Sequence, residues 1–166
     1  MGIFRGRVAR TAQGTFTLRL PRPERELLAN LAEQLREVLL VTTDDPSLRR
    51  LFPTAYHEDV ERDREYQQLV RDELLERRLA SLATLEATAE ADEVTEEELS
   101  GWLTALNDVR LVLGTRLDVS EDDDSELEED DPDAPALAVY GYLGYLLGEV
   151  VDALADALPP PTDTEI

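Results

Sequence analysis

Between Asp118 and Asp133 the chain reads DVSEDDDSELEEDDPD, with eleven acids and no base. Like charge at this density cannot be packed, so residues 118–134 are expected to form a disordered acidic loop. Any core must therefore be built from the chain before the run, then completed by the chain after it. That later portion, PALAVYGYLGYLLGEVVDAL, is almost wholly apolar. The spacing predicts a helix over 135–158, stopped at Pro159-Pro-Pro161, with 159–166 as a tail.

The N-terminal part carries its own signals. RGRVAR and TFTLRL alternate polar and apolar residues around the turn TAQG, so residues 1–20 read as a β-hairpin. Pro21 and Pro23 open a helix to about Val41, with Leu27, Leu31 and Leu35 in one row and Leu28, Val38 and Leu39 beside it. Asp45 before Pro46 suits the N-cap of a short helical turn. A long helix is expected over Glu58–Ala89, with rows at Tyr66, Val70, Leu74 and at Leu75, Leu79, Leu82. Thr95 and Glu98 have capping-box spacing, and the helix they open runs to about Leu117. The expected fold is mainly α: a single domain with a bundle of about four main helices and the N-terminal β-hairpin, residues 21–117 forming the helical body.

Within the Thr95 helix, LNDVRLVLGTRL sets Asn107, Arg110 and Gly114 along one line. At 100° per residue, Arg110 falls inside the apolar arc, while Thr104, Asp108 and Thr115 fall on the opposite, wetter side. A guanidinium inside an apolar arc needs polar partners. A buried network of Arg110 with Asn107 and an acid from another helix is expected, Asp59, Asp63 and Glu73 being the candidates. Gly114 in a helix interior costs about 1 kcal/mol relative to Ala. With Gly141, Gly144 and Gly148 in the last helix, it suggests a close helix crossing.

The chain carries 38 acids against 16 bases, a formal net charge of −22, and all of its bases are Arg. Such a field repels phosphate backbones and anionic membranes. Only residues 1–25 are basic, with six Arg against Glu24. There is no cysteine, which excludes disulfides and thiol chemistry. MGIFRGRVAR lacks the apolar core of a signal peptide, and the uncharged stretch Ala134–Gly148 is too short to span a bilayer. These features favour a cytoplasmic protein.

Signals for catalysis are weak. His57 and Glu61 share a helix face at i, i+4, but a zinc site needs further ligands. Glu58-x-x-Glu61 and Glu73-x-x-Glu76 resemble magnesium-holding pairs, yet so acidic a chain generates such pairs freely. No GxSxG motif accompanies the serines, and the glycines of the last helix lie within it rather than opening it. No catalytic residue, metal or cofactor is expected. The preferred reading is a non-enzymatic regulatory or adaptor-like protein working through protein contacts, with a homo-oligomer left open. Its candidate surfaces are Arg5, Arg7, Arg10 and Arg19 of the hairpin and an apolar knuckle of Phe52, Pro53 and Tyr56. The alternatives are a transcription regulator touching DNA through the hairpin, which the net charge disfavours, and a metal-dependent hydrolase.

WLTALNDVRLVLGTRLDV (residues 102–119), DPSLRRLFPTAYHED (residues 45–59) and the glycine- and tyrosine-bearing last helix resemble the actinobacterial domain of unknown function family 2017 (DUF2017). The resemblance covers most of the chain. It implies a mostly helical fold, no known enzyme activity and, for some members, a regulatory label. Thiol-based regulation cannot operate in this chain.

Overall fold

The structure, a computed structural model, describes residues 6–42, 44–52, 60–118 and 131–158. Strands β1 (Val8–Arg10) and β2 (Phe16–Leu18) form the expected hairpin. Its turn closes with Thr11 N–H donating to the Thr15 carbonyl at 2.8 Å. Gly14 sits at φ +85°, a conformation that favours glycine over any residue with a Cβ. A third strand, β3 (Glu93–Val94), adds antiparallel to β2 and pairs Phe16 with Val94. Two residues are too few to show an alternating pattern, so this strand has no signature along the chain. Val8, Phe16, Leu18 and Val94 turn into the core.

Four helices among the described residues complete the fold: α1 (Arg22–Val41), α2 (Val60–Thr88), α3 (Glu96–Arg116) and α4 (Ala134–Asp156). The mainly α bundle with an N-terminal hairpin is therefore what the chain adopts. A 3-10 turn at Pro46–Leu48 follows α1, capped by Asp45, whose carboxylate accepts from Ser47 N–H at 2.8 Å. The capping box at α3 is complete. Thr95 Oγ1 accepts from Glu98 N–H at 3.1 Å and Glu98 Oε1 from Thr95 N–H at 2.9 Å. The expected acidic loop falls mostly outside the described residues, as does the tail after Leu158.

α3 is the central element. It packs against α1, α2, α4 and the 3-10 turn, and Leu99, Trp102, Ala105, Leu106, Val109 and Val112 are all buried. The Trp102 indole donates to Thr88 Oγ1 at 2.7 Å inside the core, which gives its one polar atom a partner. From α4, Leu143, Leu146, Val150 and Ala153 are buried against this assembly. α4 as a whole is long and apolar enough to cross a membrane by length and composition, contrary to the reading from its uncharged portion alone. Toward the N-terminal end of α2 some apolar side chains are open to solvent, Leu69 being 81% exposed and Tyr66 38%.

One side chain ties the sheet to the helices. Arg25, near the start of α1, makes five hydrogen bonds. Nε donates to the Leu20 carbonyl at 2.7 Å, Nη1 to those of Ala89 at 3.1 Å and Ala91 at 2.7 Å, and Nη2 to the Leu18 carbonyl and Asp92 Oδ1, both at 3.1 Å. These carbonyls end β2 and the C-terminal turn of α2, where the helix dipole favours a cation. Only a forked, five-donor group can serve all of them at once. Arg25→Met is expected to lower stability by about 3 kcal/mol, because buried carbonyls lose their donors. Arg25→Lys should recover less than half of that. Urea unfolding with amide exchange across residues 8–18 checks this; unchanged exchange in the hairpin would contradict it.

Candidate interaction site

The stripe on α3 is arranged differently from its helical-wheel reading. Asn107 is exposed and takes no part in a buried network. Asp108 and Thr115, expected on the wet side, are 1% and 9% exposed. The wheel assumes one buried face, and α3 is packed from several sides, so the supposed wet side meets α2. There Asp108 Oδ1 accepts from Arg78 Nη1 at 2.5 Å, and Arg78 Nη2 donates to the Leu51 carbonyl at 3.0 Å. The buried acid–arginine pair exists, but its members are Asp108 and Arg78. Burial raises the Asp108 pKa above the ordinary carboxylate value, and the Arg78 charge opposes the rise.

Arg110 is half-buried. Its guanidinium lies 4.8 Å from the centroid of the Tyr140 ring on α4, a cation–π contact, and makes no ion pair among the described residues. Glu73 pairs with Arg77 at 2.9 Å instead, and Asp59 and the Asp63 side chain lie outside the described residues. Gly114 does mark a close approach: a Cβ there would sit 2.9 Å from Tyr140 Cε2. A Cβ at Gly144 would sit 3.5 Å from Arg110 Nε. Gly141 and Gly148 are exposed, and a Cβ on either would meet nothing within 4 Å, so they belong to no helix crossing among the described residues. A tight α2–α3 approach that the sequence reading missed occurs at Gly101, where a Cβ would sit 3.0 Å from Thr84 Cγ2.

The two surfaces singled out from sequence are also redistributed. Arg7 pairs with Glu24 at 3.3 Å, and Arg19 donates to the Gly6 carbonyl at 3.3 Å, so both help hold the hairpin in place. Arg10 is exposed, and Arg5 lies outside the described residues. Phe52 is 8% exposed rather than a protruding knuckle, with the guanidinium of Arg71 5.2 Å from its ring centroid and that of Arg78 at 5.9 Å. Pro53, Tyr56 and His57 lie outside the described residues, as does the Glu61 side chain. Glu76 is exposed on α2.

The surface with the form of a binding site lies elsewhere, in the wedge between α1 and α3. Leu31, Leu35, Val109, Val112 and Leu113 line its inner part, about 80 Å³. Glu37, Val38, Val41, Thr42 and Asp45 line its wider mouth, about 430 Å³. Gln34 and Arg116 border both parts and make them one trough. From Leu31 to Val41 it runs roughly 15 Å along α1 at the helical rise. Val41, at the mouth, is 83% exposed. Asp45 is held ionised by hydrogen bonds from the Ser47 hydroxyl and backbone, with Arg116 adding to the effect, so its pKa lies below the usual value. The trough therefore combines an apolar floor with a few fixed polar groups. One signal was available in the sequence: α1 has Leu or Val at 27, 28, 31, 35, 38, 39, 40 and 41, more than one buried face can use.

Two changes test these assignments. Arg78→Met should cost about 3 kcal/mol near pH 7, since it strands a buried carboxylate. Folded Asp108 holds its proton more tightly than the unfolded chain, so its contribution to stability falls as pH rises through the raised pKa. Losing Arg78 raises that pKa further, so the deficit should shrink at about pH 5. Equal deficits by urea unfolding at both pH values would refute the assignment. Separately, Gly148→Ala should raise stability by up to about 1 kcal/mol, whereas Gly114→Ala should lower it, because Tyr140 must move. Thermal melts that rank the two the other way would contradict the packing described.

Among known proteins, the family model described as Domain of unknown function (DUF2017) matches residues 1–154. No curated protein and no solved structure matches the chain.

Proposed function

Since the chain belongs to the DUF2017 family, whose description specifies no activity, we propose its function from its own surface: a non-enzymatic, adaptor-like regulator that binds another protein in the α1–α3 trough. The observation that carries this reading is the open apolar floor ending at a Val41 that is 83% exposed, in a chain with a formal net charge of −22. An isolated exposed apolar residue is ordinary. An apolar trough continuous with the core and bordered by Gln34, Glu37, Asp45 and Arg116 is the form of a helix-binding groove.

The hairpin offers less. Arg7 and Arg19 use donors within the fold, and Arg25 is saturated by its carbonyls. DNA contact through it would rest on Arg10 and Arg5, against a net charge of −22.

A photocrosslinking residue placed at Val41 in the full-length protein tests the reading in its native cells. A discrete protein adduct is expected, absent when the same group replaces the exposed Asn30 on α1 instead. It should be reduced at least fivefold when Val38→Gln and Leu113→Gln are added. Adducts that ignore those two changes, in a variant with unaltered circular dichroism, would overturn the trough as the binding surface.

A further inference from the structure

We infer that the outward face of α4 pairs antiparallel with the same face of a second copy of this chain, Tyr145 of each copy seating over Gly148 of the other. This surface is separate from the α1–α3 trough, none of whose lining residues lies on α4.

α4 packs inward on α3 and β1, burying Leu143, Leu146, Val150 and Ala153. It is apolar well beyond that face, and only 22% of its most apolar stretch is buried. Tyr145 is 52% exposed and Val151 46%. Ala138, Gly141, Gly148 and Ala155 are exposed as well. With Tyr145 they fall in an arc of about 100° on the helix. No described element covers this arc. Glycine weakens a helix interior, yet a Cβ at Gly141 or Gly148 would meet nothing within 4 Å, so the fold itself gives no reason for either. The Tyr145 hydroxyl donates to Glu149 Oε1 at 2.7 Å, so covering the ring strands no polar atom.

Shape selects a second copy. Ala138, Gly141, Tyr145, Gly148, Asp152 and Ala155 are separated by steps of three and four, the spacing of a helix–helix seam. The one large side chain of the seam, Tyr145, stands at mid-helix, three residues from Gly148. A twofold axis between these two positions puts each ring over the other copy's glycine, with Asp152 beside Gly141 and Ala138 beside Ala155. Parallel pairing would instead set ring against ring and glycine against glycine.

Charge agrees with the antiparallel order. Asp152 and Asp156 then lie along the other copy's α4 between Ala134 and Gly148, which carries no charge, whereas parallel pairing would set Asp152 against Asp152. A membrane suits the face poorly, because interfacial helices carry Lys or Arg beside their apolar side and α4 has neither. At 23 residues α4 is roughly 35 Å long, and a strip about 10 Å wide covers roughly 350 Å² per copy, under half of what a stable interface buries. The dimer is therefore a transient one, formed at high protein concentration.

Sedimentation velocity of the full-length protein at about 0.5 mM tests this. A monomer–dimer mixture is expected in 300 mM salt, with association at least fivefold weaker in 30 mM salt, where two chains of −22 repel each other unscreened. Tyr145→Ala should weaken association at least fivefold. Gly148→Leu should do the same with unaltered circular dichroism, although it adds an apolar group; a merely sticky face would associate more strongly. The chain has no cysteine, so Ala138→Cys and Ala155→Cys each supply a single thiol. Oxidised together, the two variants should give at least fivefold more disulfide-linked dimer than either gives alone.

Stronger association in Gly148→Leu would overturn the pairing, as would disulfides formed as readily by each variant alone. A persistent monomer at 0.5 mM in high salt would overturn it too. The face would then belong to a lipid surface if phosphatidylcholine vesicles co-sediment the protein, and to a different protein if they do not. None of these outcomes depends on the trough.

Discussion

The hydrogen bonds of Arg25 are what allow a small sheet and a helical bundle to share one core. Where β2 ends and where α2 ends, backbone carbonyls converge with no strand or helix to take them. A buried carbonyl without a donor is costly, and the C-terminal end of a helix adds negative potential. A single arginine side chain, 12% exposed, meets the geometric and the electrostatic demand together. With that junction fixed, β3 can follow α2 within a few residues, pair with β2, and deliver Thr95 to cap α3. The order β1-β2-β3 and the placement of the central helix are thereby linked to one side chain.

α3 then determines where polar groups are tolerated inside. α3 keeps only a narrow exposed stripe, through Ser100 and Asn107, and Asp108 lies off it, so that carboxylate must bring a partner with it. Arg78 supplies the charge and reaches the Leu51 carbonyl as well, joining α2, α3 and the turn after α1. Phe52 lies under the same guanidinium and under Arg71, which leaves the aromatic ring covered. Arg110, on the α4 side, is accommodated by another route: the face of Tyr140 and the missing side chain of Gly144 make room for it. Two arginines on neighbouring surfaces of the core are thus held by different physics, one by an acid and one by an aromatic ring.

The arrangement leaves a surface divided by character. Two of the hairpin arginines, Arg7 and Arg19, are drawn into internal contacts, while Arg10 stays exposed. The chain is strongly acidic overall, and apolar groups reach the surface both in the trough between α1 and α3 and on α4, where Tyr145 and Val151 are exposed.

Much of this was legible in the chain. Helix boundaries followed from local chemistry: prolines at the start of α1, Asp45 before Pro46, Thr95 with Glu98, and a hairpin turn ending in glycine. Each of these depends on backbone groups a few residues away, so the sequence alone could settle them. The partner of a buried group is a different matter. Asn107 and Asp108 are neighbours with similar local preferences, and which one is buried depends on whether α2 covers that side of α3. Gly114 and Gly148 read alike as glycines in helices, yet only one of them faces a ring. Val41 looks like one more core residue at the end of an apolar row, and it is exposed because none of the described elements covers that end of α1. The sequence determined the elements and their ends, because those are set by near neighbours along the chain. Tertiary structure decided which faces met, and so which charges are paired, which arginines are engaged and where an apolar surface is left open.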